Sequence, residues 1–190
     1  MKTNTFIIFS ILILFFSCSE MIKIKAQDAN TSPVTVDSVD LAKYTGLWYE
    51  IAKIPNSFQK NCARNTTANY KLREDGKIEV INKCVEVNGD TNIAKGIAKV
   101  VDTKSNAKLE VSFVRILGIQ LFWGDYWIID LDKDYKYAVV GTPSRKYGWI
   151  LSRTQKLSQG IMDKIFDALR KQGYDPKDFV MTEQIEKPEE

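Results

Sequence analysis

The chain has 190 residues, enough for one domain with a sizeable core. Its 27 basic and 24 acidic residues give a formal charge of only +3, and no basic cluster is interleaved with aromatic residues, so nothing favours nucleic acid as a partner. The sequence contains no histidine, which excludes Ser-His-Asp and Cys-His catalytic systems and removes the commonest zinc ligand. We therefore expect no catalytic residues, no metal and no cofactor.

The first residues predict export from the cytoplasm. Lys2 gives a positive start, and residues 6–16 form an apolar run that only Ser10 interrupts. This run is too short to span a bilayer, so residues 1–17 are interpreted as a signal peptide and excluded from the fold.

The cleavage site has two interpretations. Ser17 and Cys18 directly follow the apolar run and resemble a bacterial lipoprotein processing site, which implies that Cys18 becomes a lipidated first residue in the outer membrane. The alternative is ordinary cleavage after Ala26, which would leave a soluble periplasmic or secreted protein. Residues 18–38 are polar and lack periodicity, and they are predicted to form a tether between membrane anchor and domain.

The other two cysteines are affected by this choice. If Cys18 carries lipid, Cys62 and Cys84 remain as an even pair in an oxidising compartment, where disulfides persist. The alternative is a pair of free buried thiols, because spacing alone does not prove a bridge.

Short strands separated by turns dominate the chain from Leu47 onward. Residues 66–84 give the clearest hairpin: Tyr70 and Val80 lie in alternating segments, and Asp75–Gly76 supplies the turn. Folding about this turn brings Cys84 toward Cys62. Further alternating segments cover residues 92–102, 107–113, 125–131, 136–142 and 147–153.

One helix is predicted late in the chain. Its apolar stripe is Ile161, Ile165, Ala168 and Leu169, with Ser158 as N-cap and Gly173 at the end. The last three strands before it are apolar on both faces, so we expect the helix to cover them. Residues 178–185 can add a short edge strand, and residues 186–190 are predicted to be disordered.

These elements predict an all-β fold: an eight-stranded up-and-down antiparallel barrel with one C-terminal α-helix on its side. The predicted domain is residues 39–185, and roughly residues 39–183 of it resemble the lipocalin family, specifically the bacterial-type lipocalins related to apolipoprotein D. The resemblance depends on Gly46-Leu47-Trp48, on the block formed by residues 125–153, and on Arg153 at its end.

The resemblance implies roles for three residues. In this family the tryptophan, here Trp48, plugs the closed end of the barrel, and the arginine, here Arg153, lies over its ring in a cation–π contact. Gly46 allows the chain to pass close beneath. All three are therefore expected to be structural rather than ligand-binding.

Alternation along the strands predicts which side chains face the interior and bind a ligand. These candidates are Tyr70, Val80, Asn82, Ala98, Val111, Phe113, Tyr126, Ile128, Trp149 and Leu151. Small residues at Gly96 and Ala98 are expected to leave room for a pocket. The alternative is a barrel filled by its own side chains.

Residues 117–123 form an unusually apolar connection between two strands. Such a segment at a barrel mouth could touch a bilayer or line the ligand entrance, or it could tuck into the barrel.

The leading functional hypothesis is a non-enzymatic carrier of a fatty acid or lysophospholipid, the ligand class that the resemblance implies, with Tyr126 or Asn82 orienting the head group near the mouth. The membrane is expected as a second partner, through the lipid anchor. One alternative is a lipocalin-fold enzyme with Cys62 as nucleophile, and another is a filled-barrel surface interaction module.

Overall fold

The computed structural model describes residues 32–185. The predicted signal peptide (residues 1–17), the lipidation site Cys18, the alternative cleavage after Ala26 and the predicted disordered tail (residues 186–190) lie outside the described residues. Within residues 32–185, no helix combines the length and apolar character needed to cross a membrane.

Eleven strands are present in the described part of the chain. In chain order they are β1 (Gly46–Lys53), β2 (Cys62–Leu72), β3 (Ile78–Glu86), β4 (Thr91–Val100), β5 (Lys108–Ser112), β6 (Val114–Ile116), β7 (Ile119–Leu121), β8 (Gly124–Leu131), β9 (Tyr137–Gly141), β10 (Gly148–Ser152) and β11 (Val180–Met181). Two α-helices, α1 (Leu41–Tyr44) and α2 (Gln159–Lys171), and two short 3₁₀ helices, Ser57–Gln59 and Pro176–Asp178, complete the fold.

Eight of the strands form a closed antiparallel barrel, as the alternation predicted. Each of β1–β5 pairs with its neighbour in sequence, β5 pairs with β8, β8 with β9, and β9 with β10. Pairing of β10 with β1, which includes Tyr49 opposite Ser152, closes the cylinder. Closure leaves no barrel strand with an unpaired edge along its full length, which matters for a strand-rich protein.

The β2–β3 hairpin confirms the predicted turn. Tyr70 lies opposite Val80 in the ladder. Gly76 has a φ of +75°, a conformation that glycine adopts without a steric penalty. The carboxylate of Asp75 accepts a hydrogen bond from the Lys77 backbone N–H at 3.2 Å, which fixes the returning strand.

The apolar connection after β5 is a hairpin rather than an irregular loop. β6 and β7 form a separate two-stranded sheet in which Ile116 pairs with Ile119. The two residues between them, Leu117 and Gly118, both have positive φ (49° and 84°), the requirement of a tight two-residue hairpin turn.

Helix α2 covers the outside of the barrel. Its buried residues are Met162, Ile165 and Leu169, so the buried stripe includes Met162, while the predicted Ile161 and Ala168 are only half-buried. These side chains pack on Ile129, Val139 and Ile150 of β8, β9 and β10, the strands that the sequence predicted to be covered.

The helix termini follow the predicted positions with one difference. Ser158 occupies the N-cap position, but its side chain makes no capping hydrogen bond within the described residues. At the other end, Gly173 has a φ of +79°, and the Tyr174 N–H donates to the Leu169 carbonyl at 3.0 Å. This is the glycine-terminated helix end that the sequence predicted.

The segments flanking the barrel bind to it. Strand β11 adds to β1, with Met181 opposite Ala52, so the predicted edge strand is present. At the other end, the Val36 N–H donates to the Ile128 carbonyl at 3.0 Å, and the Val34 N–H to the Gln172 side chain at 2.8 Å. Val34 and Val36, which belong to the predicted tether of residues 18–38, are therefore hydrogen-bonded to the folded domain.

Candidate functional site

The closed end of the barrel is sealed by a tryptophan and an arginine. Trp48 is completely buried, and its indole N–H donates to the Tyr44 carbonyl at 2.9 Å. The guanidinium carbon of Arg153 lies 3.8 Å from the centre of the Trp48 ring. Contacts of this kind stabilise by about 0.5–2 kcal/mol.

Backbone carbonyls hold the Arg153 guanidinium over the ring. It donates to the carbonyls of Leu47 (2.7 Å), Lys43 (2.7 Å) and Thr45 (2.9 Å). Burial lowers the pKa of Arg153 from its usual value, although the group remains charged at neutral pH. Gly46 has a φ of +90°, and a Cβ there would lie 3.5 Å from this guanidinium, so glycine serves mainly the backbone conformation.

Above the Trp48 seal, the barrel encloses a cavity of about 640 Å³. This volume lies within the usual range of small-molecule sites and excludes a barrel filled by its own side chains. The cavity opens at the end where β2 begins and β3 ends, since its lining includes Cys62 and Glu86.

The cavity lining contains nine of the ten predicted ligand-binding residues. They are Tyr70, Val80, Asn82, Ala98, Val111, Phe113, Tyr126, Trp149 and Leu151. Ile128, the tenth, is fully buried in the interior cluster and is not one of the residues that line the cavity. Its backbone carbonyl instead accepts from Val36.

The prediction that Gly96 leaves free space in the cavity for a ligand is wrong. A Cβ at Gly96 would lie 2.7 Å from the ring of Phe113 and 2.7 Å from the Ser112 carbonyl oxygen. The missing side chain therefore makes room for Phe113 rather than for a ligand. Ala94 and Ala98, which line the cavity on the same strand, supply the space instead.

Three tyrosines form the floor of the cavity. The Tyr126 hydroxyl lies 2.8 Å from the hydroxyl of Tyr44 and 2.9 Å from that of Tyr70. The Tyr44 ring also lies 5.1 Å from that of Trp48, which places the cluster on top of the seal. Tyr126 was expected near the mouth, and its position at the floor corrects that prediction.

Burial raises the pKa of all three phenols. For Tyr70 the pKa rises to about 12, chiefly through burial and additionally through the charge of Glu50. Burial and the neighbouring tyrosines raise the pKa of Tyr44 and Tyr126 well above the usual value. All three hydroxyls therefore keep their hydrogens at neutral pH.

A buried carboxylate in the wall is a site residue that the sequence reasoning missed. Glu50 is 3% exposed, accepts from Thr182 (2.6 Å) and Gln59 (2.7 Å), and pairs with the Lys53 ammonium at 3.1 Å. Gln59 in turn accepts from the Trp149 indole N–H at 3.0 Å. The available signal was spacing, since Glu50 is two residues beyond Trp48 and so shares its inward face.

The predicted disulfide is confirmed. Cys62 and Cys84 are bonded, with Cα atoms 5.6 Å apart, and both line the mouth side of the cavity. The bridge removes the thiol on which the enzymatic hypothesis depended. Within residues 32–185, no three acidic or cysteine side chains gather in a way that could hold a metal ion.

The β6–β7 hairpin stands at the mouth with its apolar side chains in solvent. Leu117 is 97% exposed, Phe122 78% and Ile119 63%. The hairpin therefore does not tuck into the barrel, although Val114 and Phe122 contribute to the cavity rim. Exposed apolar clusters of this kind are typical of protein–lipid or protein–protein contacts.

Comparison with known families agrees with this geometry. The lipocalin-like domain family matches residues 39–184. Temperature-induced lipocalin-1 of Arabidopsis thaliana is 38% identical over 158 residues, 82% of this chain and 84% of that protein.

Two other relatives have similar sequence identity and coverage. Outer membrane lipoprotein Blc of Vibrio cholerae is 34% identical, with 78% of this chain and 85% of that protein covered. Apolipoprotein D of Mus musculus is 36% identical, with 83% and 84% covered.

Among solved structures, insecticyanin from the tobacco hornworm Manduca sexta matches with a TM-score of 0.65 at 23% identity, covering 83% of this chain and 86% of that one. Lobster apocrustacyanin A1 matches with a TM-score of 0.61 at 18% identity, covering 82% and 92%. At these identities the structural likeness shows the fold alone.

Proposed function

Because the chain belongs to the lipocalin family, we propose that it is a non-enzymatic carrier of a fatty acid or lysophospholipid at a bacterial cell envelope. Family membership itself implies binding or transport of a small hydrophobic ligand. The observation that carries the finer proposal is the cavity of about 640 Å³, closed at one end by Trp48 and open at the other.

The shape of the cavity supports tail-first insertion of an amphipathic lipid. An acyl chain that enters between Ala98, Val111 and Leu151 gains about 0.8 kcal/mol for each methylene removed from water. The head group then remains at the mouth, where Lys60 lines the cavity just before β2 begins. A cation in that position favours a carboxylate or phosphate.

The proposed envelope location has two supports. Ser17 and Cys18 follow an apolar run in the manner of a lipoprotein processing site. A relative of similar length is named an outer membrane lipoprotein. We propose that a lipid on Cys18 anchors the protein, with cleavage after Ala26 and a soluble exported protein as the alternative outcome.

Intact-mass spectrometry of the mature protein tests this anchor. A diacylglyceryl-modified mass starting at Cys18, and release of a Cys18→Ser variant from the membrane fraction, are expected. An unmodified mass starting at Gln27 would contradict the anchor and favour the soluble form.

The exposed β6–β7 hairpin supports direct contact between the mouth and the bilayer. A tethered domain stays close to the membrane, and the apolar side chains of Leu117 and Phe122 would otherwise remain in water. Contact at the mouth would also let a lipid pass between bilayer and cavity without crossing water.

Lipid extraction followed by mass spectrometry, on protein purified from its own envelope, tests the ligand class. A fatty acid or lysophospholipid at near-stoichiometric amounts is expected. Extracts without lipid, together with no uptake of added fatty acid, would contradict the carrier function and favour a surface interaction module.

A variant that fills the cavity tests the site itself. Val111→Trp should weaken fatty acid binding at least about tenfold, since it occupies space that the acyl chain requires. Val101→Trp is the matched control because Val101 is exposed outside the cavity. Equal affinities for both variants would mean that the ligand binds elsewhere.

A further inference from the structure

The tyrosine floor carries a hydrogen-bond donor that the protein itself does not use. Tyr44, Tyr70 and Tyr126 each bring one hydroxyl hydrogen, and the two contacts between them consume two of the three. Within residues 32–185, these hydroxyls have no other hydrogen-bond partner. One hydrogen is therefore left over in the cluster.

The unpaired hydroxyl donor can reach the cavity. It also remains protonated at neutral pH. All three tyrosines line the cavity. Their raised pKa values keep the phenols neutral. An unmet donor that faces a largely apolar cavity is costly, so the cluster favours an occupant that brings an acceptor to the floor.

The charges around the floor indicate that this acceptor is uncharged. The Glu50 carboxylate raises the pKa of Tyr70 and the Arg153 guanidinium lowers it, so the negative charge of Glu50 offsets the attraction that Arg153 would exert on a second carboxylate at the floor. Arg153 lies beyond Trp48, with its guanidinium committed to backbone carbonyls. Among the described residues, the basic side chains that line the cavity are Lys60 and Lys83, and both lie toward the mouth from Val80.

We propose that the floor formed by Tyr44, Tyr70 and Tyr126 binds an uncharged acceptor oxygen, a hydroxyl or carbonyl, on the far end of a long-chain lipid whose head group stays at the mouth. This inference rests on the proposed lipid-binding function and refines its ligand class. The preferred ligand is an oxygenated acyl chain rather than a plain one, because a terminal methyl group would leave the spare donor unpaired.

Competition of two matched probes against a fluorescent lipid tests the proposal in the full-length mature protein. Palmitic acid and ω-hydroxypalmitic acid share the same head group and chain, so contacts at the mouth cancel in the ratio of their affinities. We expect ω-hydroxypalmitic acid to bind about two- to tenfold tighter, and an isomer hydroxylated in mid-chain to lose that advantage.

Isosteric removal of the hydroxyls assigns the preference to the floor. In the triple variant Tyr44→Phe, Tyr70→Phe, Tyr126→Phe, palmitic acid should bind tighter than ω-hydroxypalmitic acid, because the ligand hydroxyl then finds no partner. Tyr147→Phe is the matched control, since Tyr147 lines the mouth and its loss should leave the ratio unchanged.

A single variant keeps the test valid if the triple variant fails to fold. Tyr126→Phe removes the hydrogen bonds of Tyr126 to Tyr44 and Tyr70 and leaves the hydroxyls of Tyr44 and Tyr70 without a partner, so the preference for ω-hydroxypalmitic acid should persist or grow. If the preference depended only on the number of hydroxyl groups at the floor, it would decrease in this variant.

The outcomes distinguish a failure of this inference from a failure of the proposed lipid-carrier function. Equal affinity of the two probes for the wild-type protein overturns the inference alone. A preference that survives in the triple variant also overturns it. Failure of both probes to bind overturns the proposed carrier function and the inference together.

Discussion

At the closed end of the barrel, Trp48 is completely buried and Arg153 is held over it by three backbone carbonyls, whereas at the mouth Leu117 and Phe122 stand in solvent. The closed end is built on the barrel strands, whereas the exposed side chains of the mouth lie on the separate β6–β7 hairpin and next to it. The closed end satisfies its polar groups and removes apolar surface from water, which stabilises the fold. The mouth leaves apolar surface exposed, which contributes nothing to stability and is available for contact. The comparison indicates that the closed end supplies stability, while the mouth supplies the exposed apolar surface on which the proposed ligand exchange depends.

The largest effect is expected from breaking the closed end. Trp48→Ala should lower the free energy of unfolding by about 3–5 kcal/mol, because it removes a fully buried aromatic ring and uncovers the Arg153 guanidinium. Urea denaturation followed by far-UV circular dichroism measures this loss.

The matched control lies at the mouth. Trp123 is half-buried just before β8, with the Lys99 ammonium 4.2 Å from its ring centre. Trp123→Ala should cost clearly less than Trp48→Ala. Equal losses at the two positions would contradict the assignment of stability to the closed end.

The next largest loss of stability is expected from removing the disulfide bond at the mouth. Cys62 and Cys84 are 22 residues apart in sequence, and a loop of that length predicts a loss of about 3 kcal/mol when the bridge is removed. The double variant Cys62→Ser, Cys84→Ser should show this loss in urea denaturation. Adding a reductant to the wild-type protein should reproduce it, and the same reductant should leave the variant unchanged. A reductant that has no effect on the wild-type protein would contradict the prediction.

A third prediction uses pH to weaken the floor. The pKa of Tyr70 is about 12 in the folded protein, against about 10 in an unfolded chain. Between these values only the unfolded chain releases the proton, so the free energy of unfolding falls as pH rises, by up to about 1.4 kcal/mol per pH unit for this residue. Tyr44 and Tyr126 add in the same direction.

Urea denaturation at a series of pH values above 9 measures this slope. Phenolate absorbance should show the floor tyrosines ionising only as the protein unfolds. The triple Tyr→Phe variant should have a shallower slope. A slope that is the same in both proteins would assign the alkaline loss to other groups.

The smallest effect on stability is expected at the tip of the β6–β7 hairpin, where a substitution should instead weaken binding to membranes. Leu117→Asn should leave the free energy of unfolding within about 0.5 kcal/mol, because asparagine tolerates the positive φ at this turn. Binding to phosphatidylethanolamine–phosphatidylglycerol vesicles should fall about tenfold, since one exposed leucine is lost from the contact.

A Cys18→Ser background allows vesicle sedimentation to report the hairpin rather than the anchor. Val101→Asn is the control, since Val101 is also exposed but follows the end of β4 that lies away from the mouth. Equal sedimentation of Leu117→Asn and Val101→Asn would exclude membrane contact by the hairpin.

Much of this architecture could be predicted from the sequence because it depends on strand alternation and on turns with glycine. Tyr70 and Val80 were placed correctly on one face because the strand period is two, and Gly76 marked the turn between them. Helix α2 was recognisable because an apolar stripe and a terminal glycine coincide.

The parts that were missed lack a local signal. Tyr44 lies in the four-residue helix α1, which is too short to show periodicity, and it meets Tyr70 and Tyr126 only when the barrel closes. The mouth hairpin was missed because its turn begins with Leu117, and leucine is uncommon at positive φ, where asparagine or aspartate usually marks such turns. Gly96 was misassigned because the sequence does not reveal that Phe113 lies against it.

Pairing of β1 with β10 joins the two ends of the barrel chain, as Tyr49 meets Ser152 roughly a hundred residues later. This seam cannot form before almost the whole domain has been synthesised, and contacts so distant in sequence are slow to form. Until then β1 and β9 offer open edges to other chains. Arg153 directly follows β10, so its contact with the Trp48 ring also forms late in folding and stabilises the closed barrel. A chain truncated before Gly148 should therefore aggregate rather than fold.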